Sequence, residues 1–543
     1  MGKHIMVFKL LAIMLICMMP VDALEVYEEW VVHHDGPYEY GVDEATDMVL
    51  DPWNNIIVTG SHQTGSQLEF CTIKYDGDGN EVWKSTYGPT SAAGVAVAVD
   101  SDGNIYVTGW VETEFLNKDM CTVKYDSNGN ELWVAIYAGS AGINDSSKDI
   151  AVDIDGNAYV VGYVINDTER DICTIKYDSD GNEIWVSTFD GPAGNDDMPY
   201  SMYVDDNTNV YIAGSTTCEG LNLDACTIKY DSEGNELWTS FHDGSTSNWD
   251  VAKAIAVDDT GNVFITGQGD GGDQIFTIKY DDTGNEQWVT ESNGYNAADL
   301  VVAPDGCPCL TGSCHGAGSD DILTVKYDPV TGAEIWSVTF NGSNNNLDGG
   351  YCITVDSAGN IYVGGSCMCN TTGQDMCTIA YDSDGNESWV MTYGYCDTWP
   401  DIAQTVIVDP FENVYVTGYS LVYSPSNWDW TTIKYNQESV GIDPISAETA
   451  AIPEETPELF LYTPYPNPSF DVANFVYSLS SDGNVMLSIY DLSGRRVETL
   501  VDTEQTVGWH QAIWDCSDVP PGVYVYRLES FSGSLTQHLI VSR

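Results

Sequence analysis

From residue 44 to residue 436 the chain consists of short runs in which apolar and polar residues alternate, each run cut off by Asp, Gly or Asn. Alternation with a period of two, enriched in Val, Ile, Thr, Tyr and Trp, is the pattern of β-strands separated by turns. No stretch carries the spacing of a long amphipathic helix. Two sub-motifs recur in turn. One runs into D-x-x-G-N-x-Y-V-T-G, as in AVDSDGNIYVTG (98–109), and its copies end at Gly60, Gly109, Gly162, Gly214, Gly267, Gly312, Gly365 and Gly418. The other is T-[IV]-K-Y-D-x-x-G-N-E-x-W, as in TIKYDSDGNEIW (174–185). Each unit, roughly 50 residues long, therefore holds four strands: a (AVAVD, 96–100), b (IYVTG, 105–109), c (TIKYD, 174–178) and d (EVWKSTY, 81–87). Four-stranded units at a fixed period predict an all-β fold, a β-propeller.

Strands a, b and c occur eight times, whereas the internal d strands supply seven tryptophans: Trp83, Trp133, Trp185, Trp238, Trp288, Trp336 and Trp389. The last unit stops at TTIKYN (431–436), and its missing d strand stands at the other end of the chain as EEWVVHHDG (28–36), with Trp30 in the same place. An N-terminal strand that completes the last unit removes the exposed sheet edges, so the pattern predicts an eight-bladed ring over residues 25–435. The eight tryptophans are expected to dock blade on blade. In the c–d hairpin, pairing Asp178 with Glu183 places Thr174, Lys176 and Asp178 on one face with Glu183 and Trp185, and Cys173, Ile175 and Tyr177 on the other. Lys176 is then expected over the Trp185 ring with Glu183 as its diagonal counter-charge, a contact of ~0.5–2 kcal/mol. Lysine fills this position in seven of eight copies, Ala380 being the exception, so seven of the thirteen lysines read as cement between blades.

Charge narrows the partners. Lys and Arg total 18 against 83 Asp and Glu, a formal net charge of -65. Such a surface repels phosphate backbones and anionic headgroups, which excludes nucleic acid and leaves cations, neutral sugars and basic proteins. Residues 1–23, with Lys3, Lys9, the apolar run Leu10–Met19 and Val21-Asp22-Ala23, read as a signal peptide. No other stretch reaches the ~20 apolar residues of a transmembrane span, so none is expected in the mature chain. Cys71, Cys121, Cys173, Cys226 and Cys377 share one repeat position that Phe276, Leu323 and Thr431 fill elsewhere, which makes it a packing site. Cys218, Cys307, Cys309, Cys314, Cys352, Cys367, Cys369 and Cys396 fall outside it and are free to pair in an oxidising compartment.

These units resemble the SBBP-type β-propeller repeats of secreted bacterial proteins, over residues 25–435. YDPVTGAEIW (327–336) is also similar to the tryptophan-docking motif of eight-bladed pyrroloquinoline-quinone dehydrogenases. Those enzymes carry a vicinal Cys-Cys pair at the cofactor, where this chain has only Cys307-Pro-Cys309 and Cys367-Met-Cys369, so no quinone cofactor is expected. Residues 436–457 are acidic, Pro-bearing and aperiodic, a linker. Residues 458–543 show short strands near 474–480, 485–492, 495–501, 510–515, 522–530 and 535–542, which predict a small β-sandwich. There YPNPSF (465–470), LSIYDLSGRRVETL (487–500), GWHQAIWD (508–515) and PGVYVYRLE (521–529) resemble the type A C-terminal sorting domain of type IX secretion substrates and the related FlgD-like immunoglobulin-like domain. The resemblance implies the secretion machinery as partner and a secreted or outer-surface location on a diderm bacterium.

The a–b and c–d turns of a propeller share one face, here nearly invariant D-x-x-G-N turns. The b–c and d–a loops share the other and carry the length changes, so a ligand site is expected there. Trp110, Trp249, Trp399, Trp428 and Trp430 lie outside the docking set and are the candidate platform for a polysaccharide or a protein, unless they pack beneath the loops. Turns such as Asp76, Asp78 and Asn80 partly imitate a calcium loop, and Cys307, Cys309, Cys314 and His315 have soft-metal residue types; Asx-Gly turn chemistry and a disulfide are the simpler readings, and no metal ligands are assigned. No catalytic residue is assigned, since G-x-S-x-G and H-E-x-x-H are absent. The expected protein is an exported, non-enzymatic binding or adhesion module; the alternatives are a glycan hydrolase or lyase with paired acids near the central channel, and a structural surface-layer module.

Overall fold

The computed structural model describes residues 23–440 and 460–541, except 39–40, 115–116, 141–143, 167–168, 219–221, 245–247, 273, 293, 317–318, 344–346, 369–372, 396–399, 422–427, 462–471, 482, 492–494, 507, 517–518, 521 and 532. The alternating runs become eight four-stranded antiparallel sheets, each ordered a-b-c-d. Blade 1 is Glu44–Leu50, Ile56–Thr64, Gln67–Tyr75 and Glu81–Tyr87. Blades 2 to 7 span 92–137, 146–189, 198–242, 251–292, 296–340 and 349–393. Blade 8 joins Asp401–Val408, Val414–Leu421 and Trp428–Val440 to the N-terminal strand Ala23–His34, which closes the ring. This closing pair runs on to Ala23 opposite Val440, past the boundary expected at residue 435. The a strands meet their counterparts on both sides around the ring, blade 8 meeting blade 1, and are therefore innermost. Among the described residues no helix is long and apolar enough to cross a membrane.

The repeated Lys, Gly and Trp are parts of one fastening. Trp133 lies against Gly181 in the c–d turn of the next blade; that glycine has φ 85°, and a Cβ there would sit 2.7 Å from Trp133 Cδ2. Trp133 Nε1 and Lys124 Nζ, both from blade 2, donate to the same carbonyl, Ser179 O of blade 3, at 3.1 Å each. Trp83 and Lys74 share Ser127 O in the same way, and Trp30 and Lys434 share Gly77 O. Trp185, Trp238, Trp288 and Trp336 donate to Ser232 O, Asp282 O, Pro329 O and Ser383 O. Trp389 faces blade 8, whose c strand runs straight on without a c–d turn, and donates instead to Gln437 Oε1 at 2.8 Å. At Ala380 the c–d turn that supplies the shared carbonyl in the other seams is missing, and Gln437 takes the place of the lysine's ammonium, its Nε2 donating to Tyr362 Oη and Glu412 O.

Two details of the expected hairpin are corrected. Lys176 does pair with Trp185, but a bulge between Lys176 and Tyr177 sets Tyr177, not Asp178, opposite Glu183. Asp178 turns instead to accept from Asp180 N and Asn182 N. The ring under the lysine is the strand-b tyrosine, Lys176 Nζ lying 4.7 Å from the Tyr159 centroid, and its counter-charge is Asp153 of the a–b turn at 3.8 Å. Glu183 stays exposed. A lysine this buried needs a carboxylate on its own side of the sheet, and the a–b turn is where one is held still.

The second unit begins beyond residue 441. It contains a sheet of Phe460–Leu461, Val472–Leu479 and Gly508–Asp515 and a sheet of Arg496–Gln505, Gly483–Asp491, Gly522–Ser530 and Gly533–Val541. Phe475, Tyr477, Leu487, Ile489, Trp514, Tyr526 and Leu528 fill its core. Residues 1–22, read as most of a signal peptide, and 441–457 of the linker lie outside the described residues.

Candidate functional site at the loop face and channel

The five loop tryptophans do not form one platform. Trp430 is 1% exposed, donates through Nε1 to Ser61 O of blade 1 at 3.1 Å and stands edge-on to His34, so it is a seam residue and not a ligand surface. A tryptophan is driven there because the closing seam must be as dry as the others. Half-buried Trp428 stacks on Tyr419 at 4.6 Å. Lys118 Nζ sits 3.4 Å over the Trp110 ring. Trp249, 39% exposed, covers Gly272. Trp110, Trp249 and Trp428 thus stand in different parts of the ring, and Trp399 lies outside the described residues.

Carboxylates organise this face. Asp43 Oδ2 accepts from Gly36 N and Oδ1 from Gln63 N, 2.7 Å each, tying a d–a loop to the end of strand b. Asp197 and Asp348 repeat the device with Gly191 N and Thr216 Oγ1, and with Gly342 N and Met368 N. Three triads gather around such anchors: Asp35, Asp43 and Asp429; Asp171, Asp190 and Asp197; Asp224, Asp243 and Asp250, oxygens within 4.8 Å of one another. Burial, then neighbouring charge, pushes Asp429 up to about 7. In the opposite-face turns that imitate a calcium loop, Asp76 Oδ1 is taken by the amides of Asp78 and Asn80, as an Asx turn requires. Nor do the soft-metal candidates of blade 6 converge: Cys309 and Cys314 are five residues apart on one extended strand, roughly 16 Å, and His315 pairs with Asp320. Cys71, Cys121, Cys173, Cys226 and Cys377 are buried free thiols, whereas Cys367 is disulfide-bonded.

The channel carries chemistry that the motif reading missed. Each a strand has a bulge near its start, and in blades 3, 4 and 5 the bulged residue is Lys148, Tyr200 and Lys253. Lys253 Nζ lies 3.7 Å from the Tyr200 centroid. Lys148 Nζ lies 5.9 Å from the Tyr163 ring, which Arg170 approaches to 5.4 Å. Arg170 pairs with Asp196 at 3.1 Å, but neither lysine forms an ion pair among the described residues. Burial first, then the Lys148 charge, lowers the Lys253 ammonium below the ordinary lysine value; burial and Arg170 lower Lys148 likewise. Blade 4 stands between the two strands that carry these lysines. The signal was present: removing the seven fastening lysines and the two of the leader leaves four, and two of those occupy the same repeat position.

One residue further along, Asp47, Asp149 and Asp299 of blades 1, 3 and 6 point between blades. Asp149 accepts from Ile150 N and, in blade 4, from Met202 N at 2.7 Å; Asp47 and Asp299 likewise reach Val97 N and Ile353 N at 2.9 Å. Burial pushes Asp47 and Asp299 up to about 6 and Asp149 to about 7. Both oxygens of each are occupied by amides, the geometry of a clamp between blades and not of a general acid with its partner.

Against known proteins, residues 463–542 match the secretion system C-terminal sorting domain, and residues 133–165 and 191–220 match the SBBP β-propeller repeat. No curated protein matches. Among solved structures, the chain is similar to the Dos1 propeller (9% identity, 75% of this chain and 94% of that one, TM-score 0.46). It is similar to Sqt1 from Chaetomium thermophilum (11%, 75% and 99%, 0.49). It is also similar to the quinohemoprotein alcohol dehydrogenase from Comamonas testosteroni (11%, 80% and 79%, 0.33). At these levels the likeness concerns the fold alone.

Proposed function

Since the chain joins SBBP-type propeller repeats to a type IX sorting domain and is an exported bacterial propeller protein, we propose that it is a non-enzymatic glycan-binding module that takes an acidic sugar at the loop-side mouth of its channel. The observation that carries this reading is the pair Lys148 and Lys253, unpaired among the described residues in a chain of net charge -65. A polyanion laid over the loop face would be repelled. A mostly neutral polysaccharide carrying isolated carboxylates avoids that repulsion, and its acidic group gains two charge-assisted hydrogen bonds at the lysines. Tyr200 and Tyr163 beside them offer faces for sugar rings. The protein alternative lacks an equivalent observation, and the clamp aspartates Asp47, Asp149 and Asp299, whose oxygens are taken by amides, lend the hydrolase alternative no support.

The test uses the full chain on a panel of neutral, uronate-bearing and sulfated polysaccharides, scoring retention and released reducing ends together. Retention confined to sparsely acidic glycans, without product, supports the reading. Released product makes the protein an enzyme. Retention on none of them, with the chain folded, overturns it.

A further inference from the structure

The seam where the N-terminal strand meets blade 1 is chemically unlike the other seven. The fourth residue after the docking tryptophan is Tyr87, Tyr137, Phe189, Ser292, Phe340 or Tyr393 in six of the d strands, and histidine in two, His242 in blade 4 and His34 at the seam; among the described residues, only at the seam does a second histidine face it. Two residues beyond the strand-b glycine stand Val111, Val164, Thr216, Gly269, Cys314, Cys367 and Ser420, but in blade 1 His62. The third partner, Cys71, holds the position of Cys121, Cys173, Cys226 and Cys377, none of which meets such a histidine pair. His33, His34 and His62 are three of only eight histidines in the whole chain.

His34 Nε2 lies 3.3 Å from His62 Nδ1 and 3.7 Å from Cys71 Sγ. The three donor atoms all fall within 4.8 Å of one another, and the residues are 7%, 3% and 0% exposed. A tetrahedral zinc ion with Zn–N of ~2.0–2.1 Å and Zn–S of ~2.3 Å sets its ligands roughly 3.3 Å (N to N) and 3.6 Å (N to S) apart. The other nitrogen of His62 faces Glu69 Oε2 at 3.7 Å, and Thr64 Oγ1 donates to Glu69 Oε1 at 3.1 Å. A carboxylate behind a ligating imidazole is the usual outer support of a zinc site. Trp430 shields His34 edge-on at 5.3 Å. We propose that His34, His62 and Cys71 form a site for one zinc-like divalent cation, which fastens the N-terminal strand to blade 1 and closes the ring, with the fourth position left to a water.

A cation of this kind takes neutral imidazoles and a thiolate, so one thiol proton leaves Cys71 as the ion binds.

The experiment titrates Co2+ into the full chain, metal-free and with thiols reduced, followed by Zn2+ competition and thermal unfolding. The variants H34Y and H62V copy the residues of neighbouring seams, so their folding is controlled by circular dichroism in chelator. One equivalent of cobalt, a thiolate-to-cobalt charge-transfer band, intense four-coordinate d–d bands and displacement by Zn2+ are expected, together with a rise in Tm. H34Y and H62V should lose at least 100-fold in affinity; C71T should abolish the charge-transfer band, and C121T should not. A folded wild-type chain without the cobalt spectrum, or H34Y and H62V that keep it, overturns the proposal.

Discussion

The fastening between blades predicts that two glycines with the same backbone conformation differ in what an added methyl group costs. Gly181 and Gly261 have φ of 85° and 82°. An alanine in that region costs about 1–2 kcal/mol from its own Cβ against the backbone. At Gly261, in an a–b turn, the nearest atom to the new Cβ is Asp282 Cβ at 3.4 Å, which is tolerable. At Gly181 the Cβ would meet Trp133 Cδ2 at 2.7 Å and Cγ at 2.8 Å, so the indole must lift off the next blade and strain its bond to Ser179 O. Overpacking of this kind adds about 1–3 kcal/mol. For a ring of about 400 residues, at about 2.1 cal/mol/K of unfolding entropy per residue, each kcal/mol lowers Tm by about 1 °C. Calorimetry of the full chain should therefore show G261A down by about 1–2 °C and G181A by about 2–5 °C. Trp133→Phe, which shrinks the ring, should recover part of the G181A deficit. Equal losses for the two alanines, or additive losses for G181A and Trp133→Phe, would refute the claim that glycine and tryptophan are halves of one contact.

Ala380→Lys should destabilise by more than about 1 kcal/mol, because the site is 2% exposed and blade 8 has no c–d turn to accept from the ammonium, whereas Lys124→Met should cost about 1–3 kcal/mol by removing its bond to Ser179 O; Tm measurements check both. Asp47, Asp149 and Asp299 have folded pKa values above the unfolded one, so their contribution is fully present below about pH 4 and is lost as pH rises through 6–7. Every tenfold difference in proton affinity between the folded and unfolded chain is worth about 1.4 kcal/mol, so Tm should fall between pH 5 and pH 8, and the triple Asn variant should flatten that slope; a Tm that rises over this range contradicts the burial argument. Lys148→Met with Lys253→Met should raise Tm slightly, since two half-buried charges without ion-pair partners are removed, while retention on acidic glycans disappears.

The ring was legible because each blade repeats one local instruction. Strand alternation, Asx-Gly turns and the position of Trp30 place the closing strand without tertiary information. The side of the sheet on which Lys176 finds its carboxylate was not legible, since the bulge beside Tyr177 depends on Asp178 satisfying its own turn amides. Trp430 shows the same limit: strand-c spacing cannot tell a loop aromatic from one that seals a seam against a residue far along the chain. The channel lysines were written in the sequence yet hidden by the seven fastening lysines, and only the radial position of strand a turns two residues about 105 apart into neighbours in one field.

The central claim, an acidic sugar held at Lys148 and Lys253, is tested most directly by isothermal titration of one oligosaccharide with a single uronate end into the wild-type full chain and the K148M/K253M double variant. At about 1.5–3 kcal/mol for each charge-assisted bond, the double variant should bind at least 100-fold more weakly, and the neutral form of the same oligosaccharide should bind wild type as poorly. Equal affinity in wild type and variant, or equal affinity for the neutral sugar, would place the ligand elsewhere on the propeller and contradict the account.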